Sequence, residues 1–307
     1  MSDTERLVQQ LRSARDLIAW GMRALEHAEL HYGHGTNNAE DEATQLVLFA
    51  AGLDYDADEQ ALSAGLPESA RRKALELIGR RITERKPAPY LTGVAHYGGL
   101  KFQADERVLV PRSSILELIE AGFHPWLAGQ EPDRMLDLGT GSGCLAILCA
   151  LAFPHARVDA TDISEGALEV AAANVRLHGL TDRVRLHRAD VFDGLPRAAY
   201  DLIISNPPYV GTEEMATLPE EYRHEPALGL EAAEEGLAIV RRILERAPDY
   251  LAQDGLLVVE VGNSEGPAYE RWPDMPLTWV EFERSEGGVF IISAQDLREW
   301  NKQHHVG

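Results

Sequence analysis

An asparagine followed by two prolines and a tyrosine interrupts an apolar run at residues 203–210, IISNPPYV. The apolar residues predict a buried strand, which has to end there because Pro207 and Pro208 lack a backbone N–H and fix φ. The prolines also stiffen the chain around Asn206. The alternative is purely structural, since Asn-Pro is a common turn sequence.

A glycine-rich loop follows another predicted strand in LDLGTGSGCLAI, residues 136–147. Its three glycines permit a tight turn close to a ligand, and the following helix directs its free N–H groups to the same place. The third glycine comes one residue too early for the G-x-G-x-x-G sequence of dinucleotide-binding loops. An acid at position 137 would repel a pyrophosphate but suits an ammonium or sulfonium group. The candidate cofactor-binding residues here are Asp137, Gly139, Thr140, Gly141, Ser142 and Gly143.

Further polar positions follow the next predicted strands. Asp162 lies 19 residues beyond the last loop glycine, where an acid can accept both hydroxyls of a ribose. The next strand ends at Asp190-Val191-Phe192, where an acid and an apolar wall could hold the amino group and the face of an adenine. Four successive strands thus carry polar residues at their carboxyl ends, where open α/β sheets bind ligands. Taken alone, Asp162 could instead be the N-cap of the helix in ISEGALEVA.

The elements that position these residues fall into three regions. Residues 1–92 show helical spacing of apolar residues in three segments and predict a small helical domain. Residues 93–111 alternate around two glycines and predict a β-hairpin connector. Residues 112–307 alternate between strands and helices, which predicts an α/β fold with a mostly parallel sheet covered on both faces. The predicted helical segments of the first region are 4–30, 38–51 and 66–85.

The α/β region contains seven predicted strands. The last two are joined by too few residues, around Glu286-Gly287-Gly288, for a crossover helix, so they must pair antiparallel. The predicted strands are 134–138, 157–162, 184–189, 200–205, 255–261, 278–284 and 288–293. The predicted helices are 113–128, 143–152, 164–178 and 234–253.

Length and composition fit a globular protein with room for two domains. The 307 residues are 45% hydrophobic and 26% charged, and no apolar run approaches the ~20 residues of a membrane span. The first residues, MSDTERLVQQ, lack the basic and then apolar layout of a signal peptide, so we expect a cytoplasmic protein. Cys144 and Cys149 lie five residues apart in a predicted helix, which favours reduced packing residues over a disulfide or a zinc site.

The net charge of −21 is unevenly distributed. Residues 1–92 contain 15 acids and 11 bases (net −4), which leaves 35 acids and 18 bases (net −17) for the rest. Duplex DNA is bound by proteins that supply lysine and arginine, so DNA is an unfavourable partner and a basic partner fits better. The alternative is that the acidity only keeps the protein soluble.

Together these motifs resemble the class I S-adenosylmethionine-dependent methyltransferases, specifically those that methylate planar amide or amino nitrogens. Residues 89–112, PYLTGVAHYGGLKFQADERVLVPR, are similar to the hairpin region of the protein-glutamine methyltransferases of bacterial translation. The resemblance covers nearly the whole chain. It implies a Rossmann-like methyltransferase domain with a seven-stranded, mostly parallel sheet whose last strand is antiparallel, and a helical domain that recognises the substrate.

Within this family, three segments are more similar to the enzymes acting on large-subunit ribosomal protein three than to those acting on peptide release factors. They are YGHGTNNAEDEATQLVL (32–48), VPRSS (110–114) and HEPALGL (224–230). The release-factor enzymes typically carry a proline and an acid where this chain has Ser113 and Ser114. The resemblance therefore implies methyl transfer from S-adenosylmethionine to a glutamine amide nitrogen of that basic ribosomal protein, with S-adenosylhomocysteine as the product.

The resemblance also assigns the catalytic roles. The Asn206 side-chain oxygen and the Pro207 carbonyl accept the two hydrogens of the substrate amide, Tyr209 packs against its plane, and Pro208 completes the substrate-binding motif. A glutamine nitrogen is a poor nucleophile because its lone pair is delocalised, so positioning and matched dipoles must supply the catalysis. No strong general base is required if the proton leaves after methyl transfer. Arg112 either lines the cofactor pocket or serves packing.

Other functions remain open from the residues alone. A DNA amino methyltransferase would use the same NPPY chemistry on a flipped base, but the chain lacks a basic channel. A non-catalytic S-adenosylmethionine-binding module is the second alternative, and the intact Asn206, Asp137 and loop glycines oppose it. His31 and His34 lack the Cys or acid cluster of a metal site, so we expect a loop role and no metal.

Residues 213–235, here called the acidic stretch, contain eight glutamates and one arginine, Arg223. Such a run is usually a solvated face. Because it begins four residues after Tyr209, the alternative is a docking surface for the basic substrate. The glutamates considered for docking are Glu213, Glu214, Glu220, Glu221 and Glu225.

Overall fold

The computed structural model of the chain describes residues 3–127, 129–285 and 287–304, which form two compact units. The helical unit comprises the residues up to 95 together with 104–106 and 219–224. The α/β unit comprises 96–103, 107–218 and the residues from 225 onwards. Part of the acidic stretch, residues 219–224, therefore belongs to the helical unit.

The helical unit is built from amphipathic helices around a leucine-rich core that includes Leu17, Leu25 and Leu46. The predicted helix 4–30 is divided in two because Ser13 is an N-cap: its hydroxyl accepts the Asp16 N–H, and the Asp16 carboxylate accepts the Ser13 N–H. The described helices are α1 (Asp3–Gln10), α2 (Ala14–His27), α3 (Ala39–Ala51), α4 (Glu59–Ser63), α5 (Glu68–Glu84) and α6 (Ala88–Thr92).

A buried charge cluster ties residues 219–224 to these helices. The Arg81 side chain, on α5, is fully buried, and its Nε lies 3.1 Å from a Glu42 carboxylate oxygen and its Nη1 3.5 Å from one of Glu221. Glu221 also accepts the His31 N–H at 3.0 Å and lies 2.8 Å from Arg85. Burial raises the pKa of Glu42, whereas the His31 N–H and the two arginines outweigh burial and lower the pKa of Glu221.

The α/β unit contains one seven-stranded sheet in the order β5-β4-β3-β6-β7-β9-β8. A separate two-stranded hairpin, β1 (Val94–Tyr97) and β2 (Leu100–Gln103), lies where the two units meet in sequence. The sheet strands are β3 (Arg134–Leu138), β4 (Arg157–Asp162), β5 (Val184–Arg188), β6 (Tyr200–Ser205), β7 (Leu251–Glu260), β8 (Thr278–Trp279) and β9 (Val289–Ser293).

The first five sheet strands pair in parallel, and β9 pairs antiparallel with both β7 and β8. The predicted antiparallel pairing of the last two strands is confirmed, while Glu286 of the predicted turn lies outside the described residues. The described helices are α7 (Ile115–Glu120), α8 (Cys144–Ala152), α9 (Glu165–Leu177), α10 (Thr212–Met215), α11 (Ala227–Leu230), α12 (Ala238–Arg246), α13 (Glu265–Arg271) and α14 (Ala294–His304).

Two hydrophobic clusters cover the two faces of the sheet. One includes Leu148 of α8 and Val158 of β4, and the other includes Val240 of α12 and Leu136 of β3. The chain leaves β3 in one direction towards β4 and β5 and returns on the other side at β6. The carboxyl ends of β3, β4 and β6 therefore border the crevice at the switch point of the sheet, where open α/β sheets bind ligands.

Several predicted boundaries were wrong. The predicted helix 113–128 ends at Glu120 because Gly122 and Phe123 adopt φ of 61° and 52° and Pro125 follows. The predicted strand 278–284 pairs only at Thr278–Trp279, and the helices α13 and α14 were not predicted. Cys144 and Cys149 are buried and free. In the described part of the chain, no helix is both long and apolar enough to cross a membrane.

The charge cluster predicts a large effect of Arg81 on stability. Arg81→Leu would leave the Glu42 and Glu221 carboxylates buried without their cation, so the free energy of unfolding should fall by about 3–5 kcal/mol in urea denaturation. The control is Arg80→Leu. Arg80 directly precedes Arg81 in the helix and forms an exposed ion pair with Glu84. A loss at Arg81 no larger than at Arg80 would contradict the assigned role.

Candidate active site

A cavity of about 350 Å³ lies in the α/β unit at the carboxyl ends of β3, β4 and β6. Its volume is in the range of small-molecule sites. The structure brings most of the predicted site residues together in its wall. These are Asp137, Gly139, Thr140, Gly141, Ser142, Asp162, Asp190, Val191, Asn206, Pro207 and Pro208.

The glycine loop turns from β3 into α8 in a conformation that only glycine adopts readily. Gly139, Gly141 and Gly143 have φ of 72°, 53° and 80°. A Cβ at either of the first two would meet no atom within 4 Å, so the loop is open there. A Cβ at Gly143 would lie 3.2 Å from the Cβ of Ala171, so this glycine permits close packing of α9.

Asp137 carries an unsatisfied acceptor at the cavity wall. The residue is only 1% exposed; its Oδ2 accepts the Thr140 hydroxyl at 2.6 Å and the Ala146 N–H at 3.2 Å. None of the described residues donates a hydrogen bond to its Oδ1. Burial raises the pKa of Asp137 to about 7. A buried carboxylate with one unused oxygen fits a cationic ligand group, such as an ammonium, better than it fits an anion.

Asp162 follows the end of β4 into the same cavity. Its Oδ2 accepts the Gly141 N–H at 2.9 Å, and its Oδ1 accepts the Ser164 N–H at 2.8 Å. The N-cap of α9 is Ser164, whose hydroxyl accepts the Ala167 N–H, so the N-cap interpretation of Asp162 was wrong. Each carboxylate oxygen keeps a further lone pair with which it can accept a ligand hydroxyl.

The third predicted group is divided between the cavity and the core. The half-exposed Asp190 carboxylate accepts a 2.8 Å hydrogen bond from Arg242, which also lines the cavity. Phe192 is 2% exposed and stacks on Tyr250 in the core with ring centroids 4.6 Å apart. The apolar lining predicted for Phe192 comes instead from Val191 and Ile163.

The NPPY motif holds one amide in a defined orientation. Asn206 Nδ2 donates a 3.3 Å hydrogen bond to the Arg112 carbonyl, which leaves Oδ1 as the acceptor of the amide. Pro207 is buried. The Tyr209 carbonyl accepts the Ser264 hydroxyl at 2.9 Å. A Cβ at Gly262 would lie 2.5 Å from the Tyr209 ring, so the ring packs directly on that glycine.

Sequence reasoning missed the ion pair that connects two walls of the cavity. Arg112 donates two 2.6 Å hydrogen bonds to the fully buried carboxylate of Glu225, which also accepts the Val110 N–H at 3.1 Å. Residues 107–112, together with Pro226, Leu228 and Gly229 after the pair, line the cavity. The only signal in the sequence was the family similarity of VPRSS and HEPALGL. Arg112 thus both lines the cavity and packs.

The acidic stretch does not form one continuous solvated face. Glu221 and Glu225 are buried in ion pairs, so neither can offer its carboxylate to a partner, and the interpretation of these two as docking residues was wrong. Glu234 pairs with Arg241 and Arg271. The exposed glutamates of the stretch are Glu213, Glu220, Glu231, Glu234 and Glu235.

The predicted histidine loop is an aromatic cluster of the helical unit. The ring centroids of His34 and Tyr222 are 4.5 Å apart, and those of His31 and His34 are 6.3 Å apart. Over residues 3–127, 129–285 and 287–304, no group of three or more His, Cys, Asp or Glu side chains is arranged to hold a metal ion.

Comparison with known proteins places this geometry among methyltransferases. The family described as "Methyltransferase small domain" matches residues 125–220. The ribosomal protein uL3 glutamine methyltransferase of Bordetella pertussis is 47% identical over 290 residues, which cover 94% of this chain and 97% of that protein. The ribosomal protein uL3 glutamine methyltransferase of Xanthomonas campestris pv. campestris is 47% identical over 295 residues, which cover 96% of this chain and 95% of that protein.

The raised pKa of Asp137 predicts how stability depends on pH. The folded protein binds the Asp137 proton more tightly than the unfolded chain does, so ionisation costs stability as the pH rises from 3.8 to about 7. Asp137→Asn removes this cost. In the absence of ligand, the variant should gain free energy of unfolding over the parent by about 1.4 kcal/mol per pH unit across this interval, and then level off.

Urea denaturation at a series of pH values measures this difference. The same substitution at the exposed Asp182, which is outside the residues that line the cavity, is the control for the change of residue type. A variant at position 137 that is less stable than the parent at pH 8 would show that the carboxylate stabilises the fold.

Proposed function

The chain belongs to the family of ribosomal protein uL3 glutamine methyltransferases, and we propose that it transfers a methyl group from S-adenosylmethionine to the side-chain amide nitrogen of a glutamine in uL3, the large-subunit protein three. The observation that carries the proposal is the cavity in which the oriented Asn206 amide and the unsatisfied Asp137 carboxylate line the same space. The reaction takes place in the cytoplasm in this proposal, because its substrate is a ribosomal protein.

Three carboxylates hold the cofactor in this proposal. The free Oδ1 of Asp137 accepts the ammonium group, and the Asp162 carboxylate accepts the ribose hydroxyls. Asp190 lies beside the adenine, with Val191 and Ile163 as the apolar surface. When bound, the cofactor supplies an electrophilic methyl group on a sulfonium centre. The buried negative charge of Asp137 favours a ligand group that carries a positive charge, such as this ammonium.

Asn206 and Pro207 act on the substrate amide. The Asn206 Oδ1 and the Pro207 carbonyl accept the two amide hydrogens, and Tyr209 packs against the amide plane. These contacts orient the nitrogen towards the methyl group of the cofactor. They also stabilise the positive charge that the nitrogen gains when its lone pair attacks the methyl group and no longer conjugates with the carbonyl. The prolines and the Asn206–Arg112 hydrogen bond hold the acceptors in place before the substrate arrives, so little reorganisation is needed during the reaction.

The test is methyl transfer from isotopically labelled S-adenosylmethionine to purified uL3. Peptide release factor and DNA serve as alternative acceptors in parallel reactions, and peptide mass spectrometry locates the methyl group. We expect labelling of one glutamine of uL3 and none of DNA. Labelling of the release factor in preference to uL3 would reassign the substrate, and labelling of DNA would overturn the proposal.

Asn206 should affect turnover far more than cofactor affinity. Asn206→Ala removes one acceptor that the substrate amide needs during transfer, so the turnover rate should fall roughly a hundredfold or more, by analogy with lost oxyanion-hole donors. Calorimetry with S-adenosylmethionine is the control, because the variant should still bind the cofactor. A variant with near-normal turnover would exclude the catalytic role of this amide.

The partner proposal concerns the three predicted docking glutamates that are not buried: two are exposed, and Glu214 is half-buried. Ribosomal proteins are basic because they bind RNA, so a basic segment of uL3 can contact Glu213 and Glu214 of the α/β unit and, as a separate contact, Glu220 of the helical unit. Attraction of this kind accelerates encounter and weakens with salt. We propose that the helical unit, as the recognition domain, supplies the specific contacts, beginning with residues 31–38.

Neutralising these three glutamates to glutamine should slow association with uL3 at low salt and flatten its salt dependence. The matched control makes the same change of net charge elsewhere, at the exposed Glu281, Glu283 and Glu299. Salt at about 0.1 M screens exposed charges beyond roughly 10 Å. Stopped-flow association rates measured over a series of salt concentrations around this value would therefore distinguish the two triple variants. Equal slopes for both variants would leave the acidic stretch as a solvated face.

A further inference from the structure

The orientation of the Asn206 amide depends on the position of one backbone carbonyl. Nδ2 of Asn206 donates to the oxygen of Arg112, which belongs to the irregular segment between the hairpin and α7. A carbonyl in a loop is held only by the contacts of its neighbours. The Arg112–Glu225 ion pair and the contacts of residues 113 and 114 therefore decide together how firmly the amide is oriented.

A single carboxylate holds the two residues that follow Arg112. The Ser113 hydroxyl and the Ser114 N–H both donate to Oε2 of Glu260, the latter at 3.1 Å. The Ser113 carbonyl accepts the Tyr97 hydroxyl at 2.7 Å. The irregular segment is thus fixed from one side by Tyr97 of the hairpin and from the other by Glu260 at the end of β7.

Glu260 is placed beside Asn206 by the sheet itself. It is the last residue of β7, and Val259 pairs with Ser205 in the parallel β6–β7 ladder, so Glu260 and Asn206 are the residues that directly follow this last pair. The side chain is 5% exposed, and burial raises its pKa to about 7. A buried acid at the end of the apolar run Leu256–Val259 costs stability, whereas an apolar residue at that position would not. A role beyond packing is therefore expected for Glu260.

We propose that Glu260 is a positioning residue of the methyl-transfer site: by accepting hydrogen bonds from Ser113 and Ser114, it fixes the Arg112 carbonyl that orients the Asn206 amide. Among the described residues, those that line the cavity do not include Glu260. It therefore acts through the irregular segment that contains Ser113 and Ser114, and not by touching the ligand. The inference rests on the proposed function, since it assigns a step in the same reaction.

The variants separate the acceptor role from simple packing. Glu260→Met keeps a long side chain but removes both accepted hydrogen bonds, whereas Glu260→Gln keeps an acceptor oxygen. Ser113→Ala removes one donor and Ser113→Thr retains it. Asp159→Asn is the matched control: it changes a largely buried carboxylate of the same sheet, hydrogen-bonded by the Tyr200 hydroxyl at 2.9 Å, outside the residues that line the cavity.

The turnover rate should depend on whether the hydrogen bond between residues 260 and 113 is kept. Since displacement of a reacting group by about 1 Å can cost a hundredfold in rate, Glu260→Met and Ser113→Ala should lower kcat by roughly tenfold to a hundredfold. Glu260→Gln, Ser113→Thr and the control should stay within about threefold of the parent, and the Kd for S-adenosylmethionine should change by less than about twofold throughout. Equal loss of kcat in the control, or an equal change in cofactor Kd, would overturn the proposal.

A second measurement needs no substrate. In protein labelled with ¹⁵N-asparagine, the side-chain NH₂ resonances of Asn206 are identified by their absence from Asn206→Ala. They should shift and exchange faster with solvent in Glu260→Met and Ser113→Ala, but not in Glu260→Gln. Unchanged resonances would refute the link between Glu260 and Asn206. Failure of the parent to methylate uL3 would instead count against the proposed function, while the resonances would still test the link.

Discussion

The hydrogen bond between the Asn206 amide and the Arg112 carbonyl is the contact on which the geometry of the site depends. A side-chain amide has an acceptor end and a donor end, and only a fixed partner decides which end faces a ligand. Asn206 follows a central strand, whereas Arg112 lies in an irregular segment that no ladder supports. The site is therefore as rigid as the contacts that hold this segment, namely the Arg112–Glu225 ion pair and the hydrogen bonds to Glu260.

Buried carboxylates are the recurring device of this molecule, and they are compensated in different ways. Glu225 has a bidentate arginine and a backbone N–H, so its charge is balanced within the protein. Asp137 has a hydroxyl and one backbone N–H on one oxygen, but none of the described residues donates a hydrogen bond to the other. Such an arrangement lowers the stability of the empty protein and increases the affinity for a cation, which is the usual compromise at a functional site.

The acids that produce the strongly negative net charge fall into two groups with different roles. Some acids are structural, and the clearest are Glu42 and Glu221, which neutralise the buried Arg81 and hold residues 219–224 in the helical unit. Others are exposed and contribute to the electrostatic field that a basic protein would meet. The acidic stretch contains both kinds: Glu221 and Glu225 are buried in ion pairs, whereas Glu213 and Glu231 are exposed.

The sequence by itself determined the parts of this protein that local rules govern. Glycines at 139, 141 and 143 and prolines at 207 and 208 dictate their own backbone, and parallel strands bring their carboxyl ends to one edge, so Asp137, Asp162 and Asn206 had to meet. Only the tertiary structure decided the contacts of Glu225 with Arg112, Glu260 with Ser113 and Glu221 with Arg81. These pairs lie 113, 147 and 140 residues apart. No periodicity or propensity links such positions, because their pairing depends on which side chains the packed fold buries beside each other.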